Sequence, residues 1–321
     1  MLPVSACQAQ DPVPALGNRA ISLVASLSEA EFYSDFWLSF HDYLYGRARE
    51  PEQVTEVGAA CLATLPKTER AAWQAAVAFY EAELSDRHHR LDPLTRAIRR
   101  RLAEVTPEYE PQADTALALL TAAASAYKAC LWETHNAQNR ARIAELLHSI
   151  VTHGPALRRR LEQTYQADWP SGLIVDVTPY AAFANTSGGP GQIPHTMLSS
   201  THPNLERWSG LEIFFHEGSH SMFGGRHGEV ARALRAASIE TGIERPRDLW
   251  HATSFHTSGR FVQEMAAAAG DEYTPYYLRR GIFPDFVSIL EAHWNPYLDG
   301  KVTMEEAASA VVRALGTPVN D

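Results

Sequence analysis

The stretch that decides how the second half of this chain folds is residues 211–223, Leu-Glu-Ile-Phe-Phe-His-Glu-Gly-Ser-His-Ser-Met-Phe. Apolar side chains stand on both sides of a polar centre, a pattern that predicts a buried helix. Gly224 and Gly225 follow and supply a helix stop. Two histidines and a glutamate inside a buried helix need partners, because an unsatisfied polar group in a protein interior costs free energy.

The polar centre of this stretch, residues 216–220, is an H-E-x-x-H motif. Residues four apart lie on one face of a helix, so His216 and His220 can reach a single metal ion. Glu217 lies about 100° further round the helix axis. There it can take a proton from metal-bound water, whose pKa zinc lowers toward about 7. The motif therefore predicts a zinc-dependent hydrolase with Glu217 as the catalytic base.

The segment Phe214–His220 resembles the zincin metallopeptidases. Residues 169–316 are also similar to a poorly characterised group of bacterial zincin-like proteins, through the stretches 248–252 and 294–300. The resemblance implies attack of zinc-bound water on the carbonyl of a peptide or protein substrate. In zincins the strand before the active-site helix forms the sheet edge along which the peptide lies, and we expect residues 195–200 to form that edge.

Two alternatives to a metallopeptidase remain open at this point. One is a zinc hydrolase acting on a non-peptide amide, because H-E-x-x-H also serves in deformylases. The other is a non-catalytic helical binding protein that retains a metal site.

The third zinc ligand has to come from outside the motif, since a catalytic zinc takes three protein ligands and one water. The metzincin pattern H-E-x-x-H-x-x-G-x-x-H fails here. Phe223 replaces its glycine, Arg226 replaces its histidine, and His227 comes one place late.

The remaining candidates lie on two predicted helices. On a helix over 247–268, His251 shares a face with three apolar residues, so we predict that it faces the interior and binds the metal. Glu240 has the spacing of the third ligand in thermolysin-like enzymes. Glu264 and His256 complete the set of alternatives.

Hydrolysis also requires a group that stabilises the developing oxyanion. The zincin resemblance implies a Tyr, His or Arg beyond the third ligand, and the segment 273–280 holds three tyrosines and two arginines. We select Tyr276 as the second catalytic residue.

The pattern along the chain predicts a mainly α fold with a small β-sheet, of the α+β class. Residues 1–168 are expected to form a helical N-terminal region, with one long helix over 112–150. Residues 169–321 are expected to form the zincin-like, metal-binding catalytic region.

The elements of these two regions can be assigned from periodicity. A stripe of Phe32, Phe36, Phe40 and Leu44 marks a helical segment within 21–45. Strands are predicted at 173–177 and 195–200 with a loop over 185–194, followed by helices near 209–223, 228–242 and 247–268.

Charge and composition exclude some partners. The 321 residues carry a net charge of −10, which argues against a nucleic-acid partner. No apolar run of 18 residues or more occurs, so no transmembrane segment is predicted. The sequence does not predict an oligomeric state.

The three cysteines bear on location. Cys61 and Cys130 either form a disulfide or remain free thiols. The stretch Val4–Cys7 has the look of a lipoprotein processing site. It favours export, as a periplasmic protein or one lipid-anchored through Cys7, over a cytoplasmic location.

Overall fold

The computed structural model describes residues 12–53, 58–89, 91–103, 110–181, 184–187, 194–223 and 228–316. Cys7 lies outside these ranges, and so do Gly224, Gly225, Arg226 and His227. The chain forms two compact units, one comprising residues up to 23 and 34–137, the other 24–33 and 138–321. The sequence prediction placed a division at 168/169, where the residue pattern changes. The compact units divide at 23/24, at 33/34 and, within a helix, at 137/138, and the predicted region boundary stays a prediction.

The described part of the chain is mainly helical, and the predicted α+β class with a small sheet is confirmed. The α-helices are α1 Phe36–Arg49, α2 Ala59–Thr64, α3 Lys67–Glu83, α4 Pro93–Leu102, α5 Pro111–Tyr127, α6 Glu133–Tyr165, α7 Arg207–Phe223, α8 Glu229–Thr241, α9 Leu249–Ala268, α10 Tyr276–Arg279, α11 Val287–His293, α12 Asn295–Leu298 and α13 Met304–Leu315. A π-helical turn over Lys128–Trp132 joins α5 to α6.

Within the described ranges, five strands form one sheet. They are β1 Leu23–Ser26, β2 Glu31–Tyr33, β3 Ile174–Thr178, β4 Ala184–Ser187 and β5 His195–Ser199. The order across the sheet is β1-β2-β3-β5-β4, with β3 parallel to both β2 and β5, and β4 antiparallel to β5. The predicted strands at 173–177 and 195–200 are confirmed within one residue at each end.

Two sequence expectations about this sheet were wrong. Residues 195–199 lie in its interior, and the edge strand on that side is β4, most of which falls in the stretch 185–194 predicted to be a loop. Polar residues beside glycine and proline hide β4 in the sequence, since a four-residue strand shows little alternation. Residues 23–33 form β1 and β2 rather than part of a helix. Phe32 fits a helical stripe, but in β2 its ring stacks on Phe214 of α7 at 5.6 Å between centroids.

In the first unit an aromatic cluster packs against α1. The rings of Phe40 and Tyr127 are stacked with centroids 4.3 Å apart. The ring of Trp73 also stacks on that of Phe40, with centroids 5.7 Å apart. Cys61 and Cys130 form a disulfide in the same unit. Disulfides persist mainly in oxidising compartments, which agrees with the predicted export.

One helical run bears on the membrane prediction. The continuous run Pro111–Tyr165 contains an 18-residue window that is apolar and long enough to cross a membrane by composition alone. Core helices of globular proteins pass the same test, so this run is weak evidence for a membrane span. The expectation of no transmembrane segment is not contradicted.

The middle of α7 packs directly against an indole ring. A Cβ placed on Gly218 would lie 2.4 Å from Cη2 of Trp169 and 3.1 Å from Cδ2 of Leu173. Trp169 is 4% exposed, and its Nε1 donates a hydrogen bond of 2.9 Å to the carbonyl of Glu29. Because the indole is held in place, the third position of the motif has room only for glycine.

We expect Gly218→Ala to destabilise the protein, although alanine favours a helix over glycine by about 1 kcal/mol. Overpacking a filled core costs about 1–3 kcal/mol, and the clash with a fixed ring falls toward the upper end. Urea unfolding should therefore show a net loss in the free energy of unfolding. Ser221→Ala, at an exposed position of the same helix, is the matched control and should change little. A Gly218→Ala protein as stable as the wild type would mean that the indole moves aside.

Candidate metal centre

The H-E-x-x-H motif lies in the second half of α7, which packs against α9. His216 is fully buried and His220 is half-buried, one turn further along. His251 comes from the first turn of α9 and is also half-buried. Helix α7 supplies two imidazoles on one face, and the packing of α9 against it brings the third.

The three imidazoles converge through their Nε2 atoms. His216 Nε2 lies 3.2 Å from His220 Nε2 and 3.2 Å from His251 Nε2. One ligand atom from each residue can be chosen so that all three lie within 4.8 Å of one another. In a tetrahedral zinc site with Zn–N bonds of about 2.0–2.1 Å, two ligating nitrogens are about 3.3 Å apart. Both distances from His216 Nε2 therefore fit a zinc ion.

Aromatic rings surround the three imidazoles. Phe255 stacks on His216 with centroids 3.6 Å apart and an interplanar angle of 20°. Trp250 stacks on His251 at 5.0 Å, and Phe283 meets His251 edge-on at 5.5 Å. These rings limit the rotation of the imidazoles and exclude water from much of their surface.

Burial sets the protonation state of His216. It lowers the pKa of His216 well below the usual 6.5, and the neighbouring His220 and His251 lower it further. The His216 ring is therefore neutral near pH 7 and keeps a nitrogen lone pair. A neutral imidazole is the form that binds a metal.

Glu217 lies beside this group. One of its carboxylate oxygens is 3.8 Å from His220 Nε2, and the residue is 7% exposed. Its backbone carbonyl accepts a hydrogen bond of 3.0 Å from Thr186 Oγ1 on the edge strand β4. Thr186 Oγ1 is also 2.8 Å from Thr196 Oγ1 on β5. The sheet thus holds the motif at its edge strand.

The alternative third ligands have other partners. Glu240 is 68% exposed and lies 3.5 Å from Arg313. Glu264 forms ion pairs with Arg160 and Arg260. The ring of the buried His256 lies 2.7 Å from both Tyr277 Oη and Asn295 Oδ1. Within the described ranges, the structure brings together only the set predicted first, His216, His220 and His251.

Tyr276 begins α10 and is buried near this group. Its ring is 6.3 Å from that of Phe255, and burial raises the pKa of its phenol. Nothing in these contacts assigns the hydroxyl a role, so its place in oxyanion stabilisation stays a prediction.

Sequence reasoning missed Glu212, which lies one turn before His216 on α7. Its fully buried carboxylate accepts hydrogen bonds from Tyr273 Oη and, at 3.0 Å, from the backbone N–H of Tyr276. Burial raises its pKa to about 7, against the opposing effects of these bonds and of Arg279. A lone acid among Leu211, Ile213 and Phe214 was the available sequence signal.

Comparison of the chain with protein-family models, with curated proteins and with solved structures finds no match. Function is therefore inferred from the geometry of the three histidines and from their sequence motif.

We expect the purified protein to hold about one zinc ion per chain, because the three imidazoles match a tetrahedral donor set. His251→Ala should weaken zinc binding as His216→Ala and His220→Ala do, since each leaves two protein ligands. Glu240→Ala, at an exposed position, is the control and should retain the metal. Metal analysis by mass spectrometry checks this. Full zinc occupancy in the His251→Ala protein would exclude His251 as a ligand.

We expect Glu212 to make stability depend on pH. A carboxyl group whose pKa rises from 4.5 to about 7 on folding stabilises the protein fully below pH 4.5, and that contribution is lost as the pH rises through about 7. The loss amounts to about 3 kcal/mol. The side chain in the Glu212→Gln variant cannot titrate, so this variant should lack that pH-dependent loss of stability.

The measurement is urea unfolding of both proteins in chelator between pH 4.5 and 7.5, a window that brackets the titration of Glu212. Wild-type stability should fall with rising pH relative to the Glu212→Gln variant. The control variant Glu240→Gln, at an exposed position, should show the same dependence of stability on pH as the wild type. Parallel pH profiles for wild type and Glu212→Gln would contradict the expectation.

Proposed function

We propose that this chain is a zinc-dependent hydrolase, specifically a metallopeptidase of the zincin type. The observation that carries the proposal is the convergence of His216, His220 and His251 with Glu217 beside them. Two of the three histidines and the glutamate form the H-E-x-x-H motif. The third comes from another helix and completes the set of three protein ligands that a catalytic zinc site takes.

A zinc ion held by the three imidazoles would supply Lewis acidity, which makes water a stronger nucleophile at neutral pH and polarises a substrate carbonyl. The residues of the chain supply the rest of the chemistry. The carboxylate of Glu217 takes a proton from the attacking water and passes it to the leaving amine. Its position 3.8 Å from His220 Nε2, one of the proposed ligating atoms, supports this role.

The position of the sheet supports a peptide substrate. Strand β4 lies at one edge of the sheet, and the hydroxyl of Thr186 hydrogen-bonds to the backbone carbonyl of Glu217. An extended peptide can add to a sheet edge through main-chain hydrogen bonds. A chain bound along β4 would place its carbonyls near the three histidines.

We expect Glu217→Gln to retain zinc and fold but to lose hydrolysis by a factor of about 10² or more, because an amide cannot accept the proton. The assay is cleavage of a broad peptide library by the zinc-loaded protein, followed by mass spectrometry. Glu240→Gln, which removes an exposed carboxylate on another helix, is the matched control and should cleave like the wild type.

The outcomes separate the proposal from its competitors. Turnover of small amides without peptide cleavage would favour the non-peptide amide hydrolase. Stoichiometric zinc with no turnover of either class would favour a binding protein. Undiminished peptide cleavage by the Glu217→Gln variant would remove Glu217 from its role.

A further inference from the structure

Four hydroxyl side chains of α9 face the protein interior, Thr253, Ser254, Thr257 and Ser258, all at most 1% exposed. A buried Ser or Thr in a helix commonly donates to the carbonyl four residues earlier. Thr253, Thr257 and Ser258 do so, at 2.8, 2.8 and 3.0 Å. These three hydroxyls are therefore satisfied within their own helix.

Ser254 makes a different contact. Its Oγ lies 3.1 Å from Nδ1 of His216, across the α7–α9 interface. This nitrogen is on the opposite side of the imidazole from Nε2, the atom that faces His220 and His251. Ser254 therefore contacts the one side of the His216 ring that does not face the candidate metal position.

We propose that Ser254 is a positioning residue of the metal centre, which fixes the tautomer and the orientation of His216. A neutral imidazole carries its single proton on either Nδ1 or Nε2. When Ser254 Oγ accepts the Nδ1–H of His216, the lone pair is left on Nε2, where a metal needs it. The inference rests on the proposed zinc site, and it assigns a role to a residue outside the motif.

The surroundings of Ser254 suit this role. Phe255, the next residue of α9, stacks on the face of the His216 ring at 3.6 Å, so consecutive residues restrain both its tilt and its rotation. Side-chain hydrogen bonds also link the phenol of Tyr165 to Ser254, as well as to Thr257, Ser258 and Ser219. A serine that accepts from His216 can donate its own proton toward that phenol. Such outer contacts of a metal-binding histidine commonly contribute about 10–100-fold to metal affinity.

The test compares zinc binding by Ser254→Ala and Ser258→Ala. Ser258 is the matched control because it lies one turn further along α9, is equally buried and shares the hydrogen-bonding contact with Tyr165, whereas none of its described contacts reaches His216. Zinc affinity is measured on the full chain by competition with a chromophoric chelator. The absorption spectrum of Co²⁺-substituted protein reports the geometry of the site independently of activity.

Ser254→Ala should weaken zinc binding by about 10–100-fold and alter the Co²⁺ spectrum. Ser258→Ala should bind like the wild type. Ser254→Thr keeps the hydroxyl and should recover most of the affinity, which keeps the test informative if the alanine variant folds poorly. Wild-type affinity in Ser254→Ala, or equal losses in the Ser254→Ala and Ser258→Ala variants, would overturn the inference. A wild-type protein that binds no zinc would instead refute the zinc proposal itself, and the role of Ser254 with it.

Discussion

The approach of His251 to His216, with Nε2 atoms 3.2 Å apart, fixes how α9 lies against α7. One buried and two half-buried imidazoles are costly to desolvate, so packing and hydrogen bonds have to offset that cost. Phe255 covers the face of His216, and Ser254 meets its Nδ1. The other side of α7 rests on Trp169 and Phe32, which join it to the sheet. The packing of the second unit is thus organised around α7 and α9, whose interface includes these polar contacts.

The core of the site could be predicted from sequence because its spacing is local. His216 and His220 are one helical turn apart, and a buried helix could be inferred from the apolar residues around them. His251 was selected because it shares a stripe with Phe255, and in the structure both rings lie against His216. Helix-face geometry was sufficient here because α9 is a regular helix of 20 residues.

The parts that sequence reasoning missed depend on contacts between distant segments. Strands β1 and β2 lie more than 140 residues before β3, and nothing in their own sequence shows that they join its sheet. Strand β4 has four residues and too little alternation to be recognised. Ser254 looks like its neighbours Thr253 and Ser258 until the structure shows which of them faces His216. Such assignments need tertiary geometry, because one-dimensional periodicity gives a face of a helix and not its partner.

Two glutamates on α7 show how environment divides roles along one helix. Glu212 and Glu217 are five residues apart, so they point about 140° away from each other around the axis. The carboxylate oxygens of Glu212 are engaged with Tyr273 and with the backbone of Tyr276, and full burial raises its pKa to about 7. That geometry holds the segment before α10 and occupies the carboxylate of Glu212. Glu217, 3.8 Å from His220 Nε2, is the carboxylate placed to exchange protons beside the proposed metal. Environments that differ in this way separate a structural acid from the proposed catalytic base on the same helix.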